Sequence, residues 1–87
     1  MSELRLRYLA SLREQLGTSD EALAVPADGS TFEHVLEQLA DRHGAAAVAA
    51  LTAGNVRLAL NQELVEAEGL IVHAGDELAF LPPVTGG

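Results

Sequence analysis

From Glu3 the chain alternates, with Leu4, Leu6 and Tyr8 on one side and Arg5 and Arg7 on the other, and that two-residue period predicts a half-buried strand. Leu9, Leu12 and Leu16 then fall at helical spacing, and Gly17 offers a left-handed stop. A short helix from Ala10 to Leu16 is predicted. Thr18 to Glu21 reads as a polar turn. Leu23 and Val25 alternate with Ala22 and Ala24 up to Pro26, which predicts a second strand, antiparallel to the first. Ala27-Asp28-Gly29-Ser30 is a turn, and Ser30 with Glu33 three residues on has the form of a capping box. Phe32, Val35, Leu36 and Leu39 follow on one helical face while Glu33, Glu37, Gln38 and Asp41 take the other. Arg42 and His43 suit the negative end of that helix, and Gly44 caps it. Ala45 to Leu51 adds one or two helical turns. Val56, Leu58 and Leu60 make a third strand, Asn61-Gln62 a hairpin turn, and Glu63 to Val65 its return. After an acidic loop from Glu66 to Gly69, Leu70 to Val72 is briefly apolar and Ala74-Gly75-Asp76 turns. Glu77 to Leu81 is the last strand, with Leu78 and Phe80 on one face.

Strand, strand, helix, strand, short strand, strand is the order of an α+β, β-grasp (ubiquitin-like) fold, a mixed sheet of about five strands with one main helix packed across it. The first and last strands of such a sheet are central neighbours. Residues 1–81 are therefore expected to form the domain, and residues 82–87 an extended C-terminal tail ending in Gly-Gly. Pro82 and Pro83 fix φ and lack the amides a further ladder partner needs, so the tail is expected to be held out from the sheet. Its six residues reach roughly 20 Å at about 3.3 Å each. Gly86 and Gly87 present a carboxylate on a thread without side chains, thin enough for a narrow slot in another protein. The dipeptide alone is equally compatible with a frayed end.

At 87 residues the chain suits one domain, and the 48% of hydrophobic residues include only 3% aromatic, so the core must rest on leucine, valine and alanine. No cysteine is present, which removes disulfides and thiolate chemistry. Thirteen acidic residues against five basic ones, all arginine, give a net charge of -8. Nucleic acid and anionic membrane surfaces reward the opposite sign and are not expected as partners. A basic protein surface is the natural complement. No apolar run approaches the roughly 20 residues of a membrane span and no signal-peptide pattern opens the sequence, so the expected compartment is the cytoplasm.

The body of the chain carries no recognisable catalytic apparatus. His34 and His43 fall on opposite faces of the main helix at about 100° per residue, and with His73 they do not converge as metal ligands would; solvated surface histidines and no metal site are expected. Glu63, Glu66 and Glu68 flank a loop, where solvation denies a carboxyl the raised pKa an acid catalyst needs. No phosphate-binding loop and no nucleophile elbow is present. Arg5 and Arg7 are expected to have cross-strand acidic partners. The exposed sheet face, with Leu81 and Leu9 near its edge, is an alternative docking surface.

Four stretches resemble one known family: Tyr8-Leu9-Ala10-Ser11-Leu12-Arg13-Glu14, Val56-Arg57-Leu58-Ala59-Leu60-Asn61-Gln62-Glu63, Gly75-Asp76-Glu77-Leu78-Ala79-Phe80 and the closing Leu81-Pro82-Pro83-Val84-Thr85-Gly86-Gly87. Together they resemble the small subunits of molybdopterin synthase, the MoaD-like sulfur carriers of the ubiquitin-like superfamily. Thr85 stands where that family often has serine or alanine, and Leu81 where an aromatic residue or isoleucine is common. The resemblance implies that the Gly87 carboxylate is the reacting group, adenylated by an ATP-dependent activating enzyme and converted to a thiocarboxylate. Its sulfur then passes to a pterin precursor in the large synthase subunit, in molybdenum cofactor biosynthesis. Pro82, Pro83, Val84, Thr85 and Gly86 are implied to line up the tail in the partner's channel. The implied partners are the large subunit, the activating enzyme and a sulfur donor such as a cysteine desulfurase system. ATP is used by the activating partner, and no cofactor is bound by the chain itself. The subunit is implied to be non-catalytic. A carrier for thiamine or cysteine synthesis, a ubiquitin-like protein modifier and a plain interaction module remain open beside this reading.

Overall fold

The computed structural model describes residues 3–83, and the fold is built from the alternation of its strands. In β1 (Glu3–Tyr8) Leu4, Leu6 and Tyr8 are buried while Glu3, Arg5 and Arg7 are exposed. Helix α1 (Ser11–Leu16) follows and buries Leu12 and Leu16. It begins one residue later than the spacing predicts, because Ala10 takes a positive φ of 51° in the bend out of β1. Leu9 is therefore not a helical core residue; it is left 36% exposed. Gly17 closes α1 at φ 76°, in the left-handed region that a residue without Cβ occupies at no steric cost.

Strand β2 (Asp20–Ala24) pairs antiparallel with β1, in the register Leu4 to Leu23 and Leu6 to Glu21. Asp20 and Glu21 belong to the ladder and not to the polar turn their composition suggests, since β1 supplies the backbone partners. Ser30 and Thr31 form a two-residue strand, β3, paired with β6 (Ile71–Val72). This displaces the cap of α2 (Phe32–His43) by one residue. The Thr31 hydroxyl, not that of Ser30, accepts from the His34 backbone amide at 3.1 Å. Ser30 is buried instead, and its hydroxyl donates to the Thr31 carbonyl at 3.2 Å.

Helix α2 lays Phe32, Val35 and Leu39 on the sheet, with α3 (Ala45–Leu51) adding Ala47 and Leu51. Strands β4 (Arg57–Leu60) and β5 (Glu63–Val65) form a hairpin, whose turn residues Asn61 and Gln62 have φ 52° and 73°. Two positive φ values in succession give the turn the twist that matches right-handed strands. The Asn61 side chain also ties the turn to the last strand, accepting from the Glu77 amide at 3.0 Å and donating to Asp76 at 3.1 Å.

The main sheet runs β2-β1-β7-β4-β5, with β7 (Glu77–Leu81) parallel to β1 and antiparallel to β4. This is the mixed five-stranded β-grasp sheet that the element order predicts, with β3 and β6 as a separate two-stranded sheet. The main helix lies across it as expected. One sheet face meets the helices and forms the core around Leu4, Leu6, Leu78 and Phe80, each fully buried. The other face has no layer packed on it among the described residues.

Candidate functional site

The C-terminal end of β7 is the root of residues 82–87. Phe80 is fully buried, with its ring 5.8 Å from that of Tyr8 and 6.1 Å from that of Phe32. Its backbone partners are Tyr8 on one side and Leu58 on the other. The strand is thus held by hydrogen bonds on both edges and by aromatic packing beneath. One residue later, Leu81 turns its side chain to the open face and pairs with Arg57 of β4. Pro82 is half-buried and Pro83 exposed, and neither belongs to a strand. A proline has no amide to give β4, so the ladder ends here. Of the residues expected in the tail, Pro82 and Pro83 are thus placed at the sheet's end, while Val84, Thr85, Gly86 and Gly87 lie outside the described residues.

An open groove of about 1070 Å³ adjoins this root; its lining runs along residues 51–58 and includes Arg57, Leu64, Glu66, Leu81, Pro82 and Pro83. Leu64 is 64% exposed. It faces outward because it pairs with Ala59, and Ala59 pairs with Ala79, so all three share the open face with Leu81. The periodicity places Leu64 in a strand but does not reveal this exposure. Small alanines at Ala59 and Ala79 are the signal that could have found it, since they leave the neighbouring leucine standing proud. Arg5 and Arg7 share the same face and are matched as expected, Arg5 with Asp20 at 3.1 Å and Arg7 with Glu77 at 3.9 Å.

A second constellation escaped the sequence. Glu21 sits at 14% side-chain exposure between three donors. Its Oε2 accepts from the Tyr8 hydroxyl at 2.7 Å and lies 2.7 Å from His43 Nε2; its Oε1 accepts from Arg42 at 2.7 Å. Arg42 donates also to the Ala22 carbonyl at 2.9 Å. His43 is consequently no solvated histidine. Its side chain is 20% exposed and fixes the C-terminal end of α2 to β2, whereas His34 and His73 are each 55% exposed. Burial works to raise the Glu21 pKa, but the hydrogen bonds from Tyr8, Arg42 and His43 outweigh it and hold the carboxyl below its ordinary range. For Tyr8, burial first and the Glu21 carboxylate second push the phenol well above its usual value. The group is neutral and a donor at any ordinary pH. It anchors the far end of the aromatic row that supports Phe80.

Glu63, Glu66 and Glu68 are all exposed, as a solvated loop requires. No group of three or more histidine or carboxylate side chains among the described residues is placed to hold a metal ion. No helix among them is long and apolar enough to cross a membrane.

A family model described as the ThiS family matches residues 6–87. The chain belongs to the ThiS family. The molybdopterin synthase sulfur carrier subunit of Haemophilus influenzae is 39% identical over 84 residues, covering 97% of this chain and 99% of that protein. The crystal structure of SAMP1 from Haloferax volcanii superposes on this ThiS-family chain with a TM-score of 0.76 at 25% identity, covering 98% of this chain and 99% of that one. Helicobacter pylori provides a protein complex of subunits 1 and 2 of the molybdopterin-converting factor, which matches at a TM-score of 0.66 and 20% identity over 100% of both chains, a likeness of fold. The resemblance carried by the closing Pro-Pro-Val-Thr-Gly-Gly and the three upstream stretches is thereby the right one, and it holds over nearly the whole chain.

Proposed function

We propose that this chain is the sulfur carrier subunit of a molybdopterin synthase, acting through the carboxylate of Gly87. The observation that carries the reading is the near full-length match to a ThiS-family relative bearing that name, in a chain whose central strand runs straight into Pro82-Pro83-Val84-Thr85-Gly86-Gly87. A carboxylate is a poor acyl donor until one oxygen becomes a good leaving group. In the proposed cycle a Gly87 carboxylate oxygen attacks the α-phosphorus of ATP on the activating partner, pyrophosphate leaves, and an acyl-adenylate forms. A sulfide equivalent from the sulfur donor then attacks the carbonyl carbon and displaces AMP, leaving the thiocarboxylate. Transfer of that sulfur to the pterin precursor in the large subunit, with water entering at the acyl carbon, regenerates the carboxylate.

The chain's own part is presentation. Phe80, clamped between two strands and two rings, fixes where the tail starts, and the prolines restrict its direction. Delivering the acyl group on a tether replaces a bimolecular encounter by an intramolecular one, with the gain in effective concentration that such tethering brings. The catalytic groups belong to the partners, and the subunit itself is non-catalytic, without a resident cofactor, and at work in the cytoplasm.

The test is intact-mass analysis after incubation with ATP, a sulfide source and the activating enzyme of the same organism. The chain has no cysteine, so alkylation by a thiol reagent after that incubation marks the thiocarboxylate alone. Replacement of one oxygen by sulfur in the C-terminal peptide is the expected result, and one alanine added after Gly87 should abolish it. Unchanged mass with an active enzyme would sink the carrier reading. A ubiquitin-like protein modifier would give a second outcome of the same incubation, an amide bond from Gly87 to an amine of another protein. The lysine-free chain offers no side-chain amine of its own for linking copies to each other.

A further inference from the structure

Three of the five arginines have acidic partners: Arg5 with Asp20, Arg7 with Glu77 and Arg42 with Glu21. Arg13 and Arg57 form no ion pair among the described residues. Arg13 lies exposed on α1, far in sequence from the tail. Arg57 is different in its surroundings: it is exposed, directly opposite Leu81 on the open face, and it lines the groove with Leu64, Pro82 and Pro83. Glu66 would face it if the β4–β5 pairing ran one residue further, and lines the same groove, yet makes no ion pair with it.

A partner that receives the tail must close over its root, and closing over Leu64 and Leu81 takes water from the guanidinium between them. A desolvated charge without a partner costs more than apolar contact around it returns. A carboxylate is the group whose two oxygens match the planar guanidinium fork. We propose that Arg57 is the specificity-determining contact at the tail root, and that the protein taking the tail sets a carboxylate side chain against it. The chain as a whole has a net charge of -8, which calls for a basic partner surface. An unpaired positive charge beside the tail root then fixes how the partner is turned about the strand axis, because a misturned complex would set the partner's carboxylate against this chain's acidic groups.

This inference rests on the carrier reading for the identity of the partner, the large synthase subunit of the same organism. Its test is calorimetric titration of that subunit with the full chain, as wild type, Arg57→Glu and Arg13→Glu. The two variants change net charge equally, so steering by overall charge cancels between them. Arg57→Glu should bind at least about thirtyfold more weakly, and Arg13→Glu within about twofold of wild type. Both side chains are exposed, and thermal melts should be unchanged; Arg57→Gln, expected to bind about tenfold more weakly, is the second variant if the glutamate does not fold. Replacing the partner's facing carboxylate by arginine should restore binding to Arg57→Glu. Equal effects of the two reversals, or none from Arg57→Glu, would overturn the inference while the carrier reading stands. Absence of binding by the wild type would bring down both, and is told apart by that fact.

Discussion

Replacing Glu21 by glutamine removes one formal charge and one acceptor oxygen from the point where β1, β2 and the end of α2 meet. Arg42 is 43% exposed, so its bond to Glu21 is screened and adds little. The bonds from Tyr8 and His43, at 2.7 Å each and mostly enclosed, carry the effect. An amide can satisfy that pair of donors only by turning its NH₂ toward Arg42, and the reverse orientation fails both. In the first orientation both bonds survive as neutral ones, and at about 1 kcal/mol of lost charge assistance for each, the expected loss is about 2 kcal/mol. A domain of this size loses about 4 to 8 °C in Tm per kcal/mol, so the melt should fall by about 8 to 16 °C.

The pH dependence sharpens the test. The folded Glu21 carboxyl titrates below its ordinary value of 4.5, so its contribution to stability is complete above that value and fades as pH falls through the folded pKa. Below it, protonated wild type and the glutamine variant are near equivalents. Thermal or urea unfolding of both proteins at neutral pH and again well below the carboxylate range is the assay. A gap that is present at neutral pH and closes in acid is expected. Equal stability at neutral pH, or a gap of the same size in acid, would refute the assignment of Glu21 as a charged acceptor.

Phe80→Ala removes the ring between Tyr8 and Phe32 and should cost about 3 to 5 kcal/mol, read as a lowered urea midpoint. Gln62→Gly relieves a side chain held at φ 73° and should raise stability by about 1 kcal/mol in the same assay; a lowered midpoint would show that the glutamine earns its place by contacts.

Much of this architecture is legible where one residue's neighbours in sequence are also its environment. The alternation Leu4, Leu6, Tyr8, the stripe from Phe32 to Leu39 and the turn at Asn61-Gln62 each state their own periodicity, and the structure follows them. Ser30 misleads because its capping position is decided by Ile71 and Val72, which draw it into a strand and pass the cap to Thr31. His43 and Glu21 lie 22 residues apart, and neither has a local pattern that announces the other. The candidate site divides in the same way. Its motif is written plainly in the last residues, while the exposure of Leu64 and the unmatched charge of Arg57 depend on which side chains the sheet sets across from them.

The parallel pairing of β1 with β7 also has a mechanical meaning. A partner that grips the chain beyond Pro83 and pulls along the strand does not peel β7 away one bond at a time. The backbone bonds to β1 and those to β4 lie across the line of pull and are loaded side by side, in shear. A pull applied at Pro83 is therefore resisted by the body of the domain acting as a fixed handle.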